Sequence, residues 1–184
     1  MKNRFSSTVI VLAIIGIFSI AGPASADTSK LIGSLVDTLG VTEDQATGGS
    51  GAPVEHWRKR GWNVIDSHSV SRTLDQYREY IEGSRGELSV AKNLYTATRS
   101  GWFSCRSVCY LAAGRPVVVQ DTGFSEVIPT GEGLHAFVDE DSAVEALQGV
   151  ESDYASHAAA ASEVAREHFG HDRVLGDLLA KVGL

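Results

Sequence analysis

The sequence predicts an α/β fold: a parallel β-sheet with flanking helices, preceded by a signal peptide and a short helical segment. Val117-Val118-Val119 is an apolar β-branched run of the kind that parallel sheets bury on both faces. A helical stretch from Cys105 to Ala113 precedes this run. A second apolar run, Leu134 to Val138, leads into an acid-capped helix at Asp139-Glu140-Asp141. Strands that alternate with helices favour a parallel sheet.

The first 26 residues have the features of a secretory signal peptide. Lys2 and Arg4 supply a short positive start, and Val9 to Ala21 is almost wholly apolar. Ala24-Ser25-Ala26 is a small-residue cleavage signature. Because the apolar core is shorter than an ordinary membrane span, we expect cleavage of residues 1–26 and no stable membrane insertion afterwards. An uncleaved N-terminal anchor is the alternative.

The net charge of the chain that is left after cleavage limits the classes of partner that it can bind. Cleavage would remove 26 of the 184 residues together with Lys2 and Arg4, so 158 residues would carry a formal charge of −9 instead of −7. A chain of this size supports one domain with a sizeable core. Its acidic balance disfavours nucleic acid or an anionic membrane as the main partner. A local positive site for phosphate is compatible with that balance.

Residues 27–53 are interpreted as a short helical and linker segment. Leu31, Leu35 and Leu39 recur at helical spacing. The stretch that ends in Gln45 to Ala52 resembles the opening of a family of small secreted bacterial helical proteins of unknown function. The composition of residues 47–51 alone favours a flexible Gly/Ser linker. The pattern changes at Pro53, and we expect an α/β domain over residues 54–184.

The first part of that domain has three predicted elements. Gly61 to Ile65 is a short apolar run and is interpreted as a strand. Ser69 or Ser71 is the expected cap of a helix whose apolar stripe includes Leu74 and Ile81. Leu88 to Ala91 suits either a strand or a short helix, and the pattern does not decide between them.

The later elements have clearer boundaries. Ser104 is the expected cap of the helix from Cys105 to Ala113, which Gly114-Arg115-Pro116 should end. The acid-capped helix is expected to reach Leu147. Two more helices are predicted, an Ala-rich one from Tyr154 to Phe169 and an amphipathic one from His171 to Val182.

The helix start at Ser104 and the turn after Val119 are expected to meet at one anion site. Open α/β sheets bind ligands at the carboxyl ends of their strands, and Gln120-Asp121-Thr122-Gly123 turns at such an end. The N–H groups of a helix N-terminus attract phosphate. These positions predict a phosphate or sugar-nucleotide site.

Residues 100–126 resemble the donor half of GT-B glycosyltransferases, specifically the bacterial group 1 type that includes spore-maturation-like proteins. The shared elements are the turn Ser100-Gly101, the helix to Ala113, Gly114-Arg115-Pro116-Val117-Val118, the turn Asp121-Thr122-Gly123, and Glu126. A looser likeness extends from about Trp57 to the C-terminus. The resemblance implies a Rossmann-like domain, one GT-B half, that binds a nucleotide-diphosphate sugar as substrate and needs no cofactor.

The resemblance also implies transfer of a sugar, of the hexosyltransferase type, to an acceptor that the sequence does not identify. Many retaining members carry two Glu eight positions apart, and Gly101 and Cys109 occupy those places here. A GT-B enzyme also has an acceptor domain of comparable size, which we do not find in this sequence. We therefore expect a truncated enzyme, weakly active or inactive, whose exposed interface would meet the missing acceptor domain or a second copy. No catalytic residue is assigned.

The expected site consists of small, hydroxyl-bearing, charged and aromatic residues around the helix start and the turn. The residues expected to bind the donor or its phosphates are Ser100, Gly101, Phe103, Ser104, Arg106, Ser107, Asp121, Thr122, Gly123, Phe124 and Glu126.

The sequence leaves two roles open for several of these residues. Arg106 can hold a diphosphate oxygen in bidentate fashion or pair with Glu126 or Asp121. Ser104 and Ser107 can donate to phosphate, and Ser104 can also cap the helix. The resemblance places Asp121 and Glu126 near the sugar or ribose hydroxyls, whereas their residue types also suit turn formation and helix capping.

The turn and the neighbouring aromatic residues have their own expected roles. Thr122-Gly123-Phe124 would supply backbone N–H groups and an aromatic wall. Trp102 is expected in the core, and Phe103 either in the core or at the site.

The two parts of the chain predict different destinations. The signal peptide predicts a secreted or periplasmic protein, whereas nucleotide sugars are used in the cytoplasm, where the glycosyltransferase-like part is expected. Two alternatives follow. One is a secreted non-enzymatic protein of unknown function, and the other is a non-functional fusion of two partial genes joined between about Gly48 and Val54.

The cysteines and histidines do not predict a metal site. Cys105 and Cys109 are one helical turn apart, and we expect a reduced, half-buried pair because a disulfide within one helix would be strained. The six His are scattered, and only His168 and His171 have a metal-ligand spacing. We interpret those two as surface residues.

Overall fold

The computed structural model of this chain describes residues 10–12, 18–21, 59, 63–66 and 68–183. Within the predicted signal peptide, Ile10–Leu12 (β1) and Phe18–Ala21 (β2) are strands. The cleavage signature at Ala24-Ser25-Ala26, the whole segment 27–53 and the proposed joint near Pro53 lie outside the described residues.

The centre of the fold is a parallel sheet. Gly86–Ser89 (β4), Val117–Gln120 (β5) and Leu134–Phe137 (β6) lie side by side in that order, all parallel. β1 pairs in parallel with the other edge of β4, so the strand order is β1-β4-β5-β6. A separate antiparallel pair joins β2 to Asn63–Asp66 (β3). The predicted α/β class with a parallel sheet is confirmed.

The β-branched run in β5 is buried as its sequence predicts. Val117, Val118 and Val119 are 0 %, 2 % and 7 % exposed. Val117 and Val119 belong to one apolar cluster that does not include Val118, because successive side chains of a strand point to opposite faces. Both faces of the sheet are therefore covered at β5.

Seven α-helices flank the strands in the described part of the chain. They are His68–Ser71 (α1), Leu74–Gly83 (α2), Asn93–Ala97 (α3), Cys105–Ala112 (α4), Glu140–Ser152 (α5), Tyr154–Phe169 (α6) and His171–Lys181 (α7). A short 3₁₀ helix, Phe124–Glu126, follows β5. Helix α3 has no side-chain cap, and the sequence pattern did not predict it.

Local sequence fixes several helix ends. Asp139 accepts a hydrogen bond from the Ser142 amide, and the Ser142 hydroxyl accepts one from the Asp139 amide, which makes a capping box at α5. At α2 the predicted cap is wrong. Ser69 and Ser71 lie inside α1, and Thr73 caps α2 by accepting from the Gln76 amide.

The end of α4 is a Schellman motif. Gly114 has a φ of +64°, its amide donates to the Leu111 carbonyl, and the Arg115 amide donates to the Tyr110 carbonyl. The chain then turns directly into β5, so the Gly114-Arg115-Pro116 stop predicted from the sequence is confirmed.

The main core joins α2, α4 and α6 to the sheet. Its buried members are Ile81, Tyr110, Leu111, Val117, Val119, Phe124, Leu134, Ala161 and Ala165. Helix α6 comes very close to the start of β6. A Cβ atom on Gly133 would lie only 2.2 Å from the Ala161 nitrogen. This close approach requires glycine at position 133.

Helix α7 lies largely outside this core. All of its residues are exposed, including an apolar stripe of Val174, Leu175, Leu178 and Leu179 that is 47–55 % exposed. In the described part of the chain this apolar stripe is therefore left bare. Separately, no helix in the part of the chain that the structure describes has both the length and the apolar character needed to cross a bilayer.

Candidate functional site

Two segments meet at the carboxyl end of the central strand. The Gly101 amide donates to the Thr122 carbonyl at 2.8 Å, and the Thr122 hydroxyl donates to the Trp102 carbonyl at 2.6 Å. Thr122 is 1 % exposed, so its own hydroxyl and carbonyl are shielded from water. The loop before α4 and the turn after β5 are thereby held side by side, as the sequence analysis predicts.

A small pocket lies between these segments. Its enclosed volume is about 10 Å³, which is room for roughly one water molecule. Residues of β4, the loop before α4, the first turn of α4 and the end of β5 line it. They are Ser89, Val90, Ala91, Trp102, Phe103, Ser104, Ser107, Val119, Gln120 and Phe124.

The start of α4 faces this pocket with no acidic side chain in its first turn. The Ser104 hydroxyl accepts a hydrogen bond from the Arg106 amide at 3.3 Å, so Ser104 caps the helix. Ser107 is buried one turn further along and also lines the pocket. The positive end of the helix dipole is therefore not neutralised from within its first turn.

Arg106 does not pair with either predicted partner. Its Nε donates to Glu87 Oε1 at 2.9 Å, and its Nη2 donates to the Ser89 hydroxyl at 2.9 Å. The pairing with Glu126 or Asp121 considered from the sequence is thus wrong. The physical reason is that β4 lies beneath α4 and carries a fully buried carboxylate, which needs a cationic partner.

Glu87 is the residue that sequence reasoning missed. Its side chain is 0 % exposed, and Oε2 has no hydrogen-bond partner among the described residues. Ser89, two positions along β4, points to the same face and reaches the pocket. The sequence signal was an acidic residue directly before the strand candidate Leu88 to Ala91, two positions before a serine.

Asp121 organises the turn after β5. Its Oδ1 accepts from the Gly123 amide at 2.9 Å, and its Oδ2 accepts from the Ser125 hydroxyl at 2.8 Å. Gly123 has a φ of +99°, and a Cβ atom there would lie 3.1 Å from the Arg99 carbonyl oxygen. The sequence left two roles open for Asp121, turn formation and contact with the donor's hydroxyls. These contacts correspond to turn formation.

The outer residues of the predicted site lie at the surface. Ser100 and Gly101 are exposed. Glu126 accepts a hydrogen bond from Arg99 Nη2 at 2.5 Å, with both side chains more than half exposed. Glu126 therefore borders the turn and does not line the pocket described above.

Aromatic rings form one wall of the pocket. Phe103 stacks on Phe169 with ring centroids 5.3 Å apart and meets buried Phe124 at a tilted angle. Trp102 stacks on Tyr95 at 4.9 Å with nearly parallel rings. Trp102 is half-buried and lines the pocket, so its predicted place in the core is corrected.

The two cysteines are free thiols, as predicted, but they are exposed rather than half-buried. Their face of α4 borders the cleft against α2, where Tyr77, Ile81 and Cys109 meet. Burial raises the pKa of Tyr77 to about 12, although the Arg106 charge acts in the opposite direction.

Comparisons with known proteins found no matching protein-family model, no similar curated protein and no similar solved structure.

Proposed function

We propose that the chain binds the diphosphate of a nucleotide sugar at the pocket between Ser104 and Gln120, as the donor-binding half of a GT-B glycosyltransferase. One observation carries the proposal: the start of α4 and the end of β5 line the same pocket. This is the place where open α/β sheets bind nucleotides. The motif string over residues 100–126 supports the same reading.

The chemistry of the pocket suits an anion that carries hydroxyl and phosphate oxygens. The first turn of α4 has no acidic side chain, and hydroxyl groups of Ser89, Ser104 and Ser107 surround its start. Such a helix N-terminus attracts phosphate through its N–H groups and its dipole. In this proposal the diphosphate lies across the mouth, since the enclosed volume is too small for it.

Arg106 would bind phosphate with only part of its guanidinium. Glu87 and Ser89 engage two of its five N–H donors and fix the guanidinium in place. Its side chain is 24 % exposed, and in this proposal a phosphate oxygen binds the remaining donors. In sugar transfer, the helix start and this guanidinium would stabilise the charge that develops on the departing nucleoside diphosphate.

Calorimetric titration of the full chain with UDP and GDP tests the proposal, together with two matched variants. Ser104→Asp retains a good helix cap but places a carboxylate at the expected phosphate position. Thr73→Asp makes the same change at the cap of α2, away from the pocket. We expect Ser104→Asp to weaken nucleotide binding by about tenfold or more through charge repulsion, and Thr73→Asp to leave it unchanged.

Two results would contradict the proposal. One is the absence of binding for every nucleoside diphosphate by the folded wild-type chain. The other is equal affinity in the wild type and in Ser104→Asp. Circular dichroism of both variants checks that each has folded.

A further inference from the structure

The fold brings together two histidines that lie 22 positions apart in the sequence. His135 belongs to the edge strand β6 and His157 to α6, and the His135 Nε2 and His157 Nδ1 atoms are 3.2 Å apart. Their rings are tilted by 51° with centroids 4.9 Å apart. Both residues are half-buried, so water reaches the pair from one side.

The geometry points to a two-histidine binding site for a divalent transition-metal ion of the Cu²⁺, Ni²⁺ or Zn²⁺ class. Imidazole nitrogens bind zinc at about 2.0–2.1 Å, so two nitrogens 3.2 Å apart would subtend an angle of about 100° at the metal. That angle is suitable for two neighbouring ligands in tetrahedral or tetragonal coordination. Both rings have to rotate so that each lone pair points at the metal and no longer at the other nitrogen.

Protons can be rearranged to free both lone pairs. The Gly133 amide also donates to His157 Nδ1, at 3.3 Å, so Nδ1 is the acceptor and His135 Nε2 carries the proton of the His–His hydrogen bond. On metal binding that proton moves through solvent to His135 Nδ1, and both rings stay neutral. The hydrogen bond from the Gly133 amide is long, and the metal would replace this amide as the partner of the His157 Nδ1 lone pair.

The remaining coordination positions would be filled by water or a small ligand. Within the described part of the chain, no group of three or more His, Cys, Asp or Glu side chains is arranged to hold a metal. Two nitrogen ligands without a carboxylate favour ions that prefer imidazole, with Cu²⁺ bound most tightly, over Mg²⁺ or Ca²⁺. The site involves none of the residues that line the proposed nucleotide pocket.

Titration of the EDTA-treated full chain with Cu²⁺, Ni²⁺ and Zn²⁺ chlorides tests this inference. His135→Gln and His157→Gln should each weaken binding by about tenfold or more, because each removes a direct ligand. His168→Gln and His171→Gln are the matched controls at the surface joint of α6 and α7, and they should retain wild-type affinity.

Spectroscopy on the wild type makes the test independent of variant folding. The electron paramagnetic resonance spectrum of the Cu²⁺ complex should show two equatorial nitrogen ligands. Equal affinity in the wild type, His135→Gln and His157→Gln would overturn the inference. Loss of binding only in the control variants would also overturn it, as would a copper spectrum with oxygen ligands alone.

Discussion

Arg106 and Glu87 form an ion pair between α4 and β4, with 2.9 Å between Arg106 Nε and Glu87 Oε1. The glutamate side chain is fully buried, and the arginine is 24 % exposed at the edge of the candidate site. Strand and helix are thereby fixed relative to each other directly behind the pocket. This pair links the stability of the fold to the geometry of the proposed anion site.

Removal of the arginine should be costly. Arg106→Gln leaves the Glu87 carboxylate buried without a cation, and we expect the free energy of unfolding to fall by about 3–5 kcal/mol. The double variant Glu87→Gln/Arg106→Gln removes the uncompensated charge and should recover part of the loss. Urea denaturation of both proteins measures the difference. Equal destabilisation of the single and double variants would show that the buried charge is not the cause.

Acid should destabilise the protein through the histidine pair. Burial, and then the proximity of His157, lowers the pKa of His135 below its ordinary value of 6.5. Because the fold favours the neutral ring, this contribution is fully present above pH 6.5 and is lost as the pH falls from there towards the folded-state pKa. Chemical denaturation at pH 7 and pH 5 should show a smaller loss of stability for His135→Gln than for the wild type. His171→Gln, at an exposed position, should behave like the wild type.

The hydroxyl of Thr122 should matter more than its methyl group. Thr122→Val keeps the shape of the side chain but removes the donor to the Trp102 carbonyl in a buried place. We expect a loss of about 1–3 kcal/mol in the free energy of unfolding, because an acceptor is left unsatisfied. Thr122→Ser retains the donor and serves as the control in thermal or urea denaturation. A larger loss in Thr122→Ser than in Thr122→Val would contradict this reading.

The apolar stripe of α7 should contribute little to the stability of the chain. Leu178 is 55 % exposed, so Leu178→Gln should change the free energy of unfolding by about 0.5 kcal/mol or less. Leu111 is 0 % exposed in the main core, and Leu111→Ala should cost about 2–5 kcal/mol. Denaturation of the two variants side by side makes the comparison. A loss for Leu178→Gln as large as that for Leu111→Ala would mean that the stripe is covered in solution.

Local sequence was enough to predict most elements of the domain. The β-branched run Val117-Val118-Val119 predicted a buried parallel strand, and the Gly114 stop and the Asp139 cap predicted helix boundaries. These features are encoded within a few residues of where they act, so the pattern alone reveals them. Helix α3, Asn93–Ala97, was missed because it has neither an apolar period nor a side-chain cap.

Partnerships across the fold could not be predicted in the same way. Arg106 finds Glu87 nineteen positions away on a neighbouring strand, and His135 finds His157 twenty-two positions away. Such pairings depend on which elements become neighbours, and the spacing along the chain does not encode that. The meeting of the Ser104 and Gln120 segments was predictable because the rule for parallel sheets places both at one edge.

The most direct test of the proposed function is to map the backbone amides that shift when UDP or GDP is added to the ¹⁵N-labelled full chain. We predict that the largest shifts occur at Ser104 to Ser107 and at Gln120 to Gly123, the two segments beside the pocket. Shifts concentrated at the cleft of Tyr77, Ile81 and Cys109, or no shifts with either nucleotide, would contradict the account.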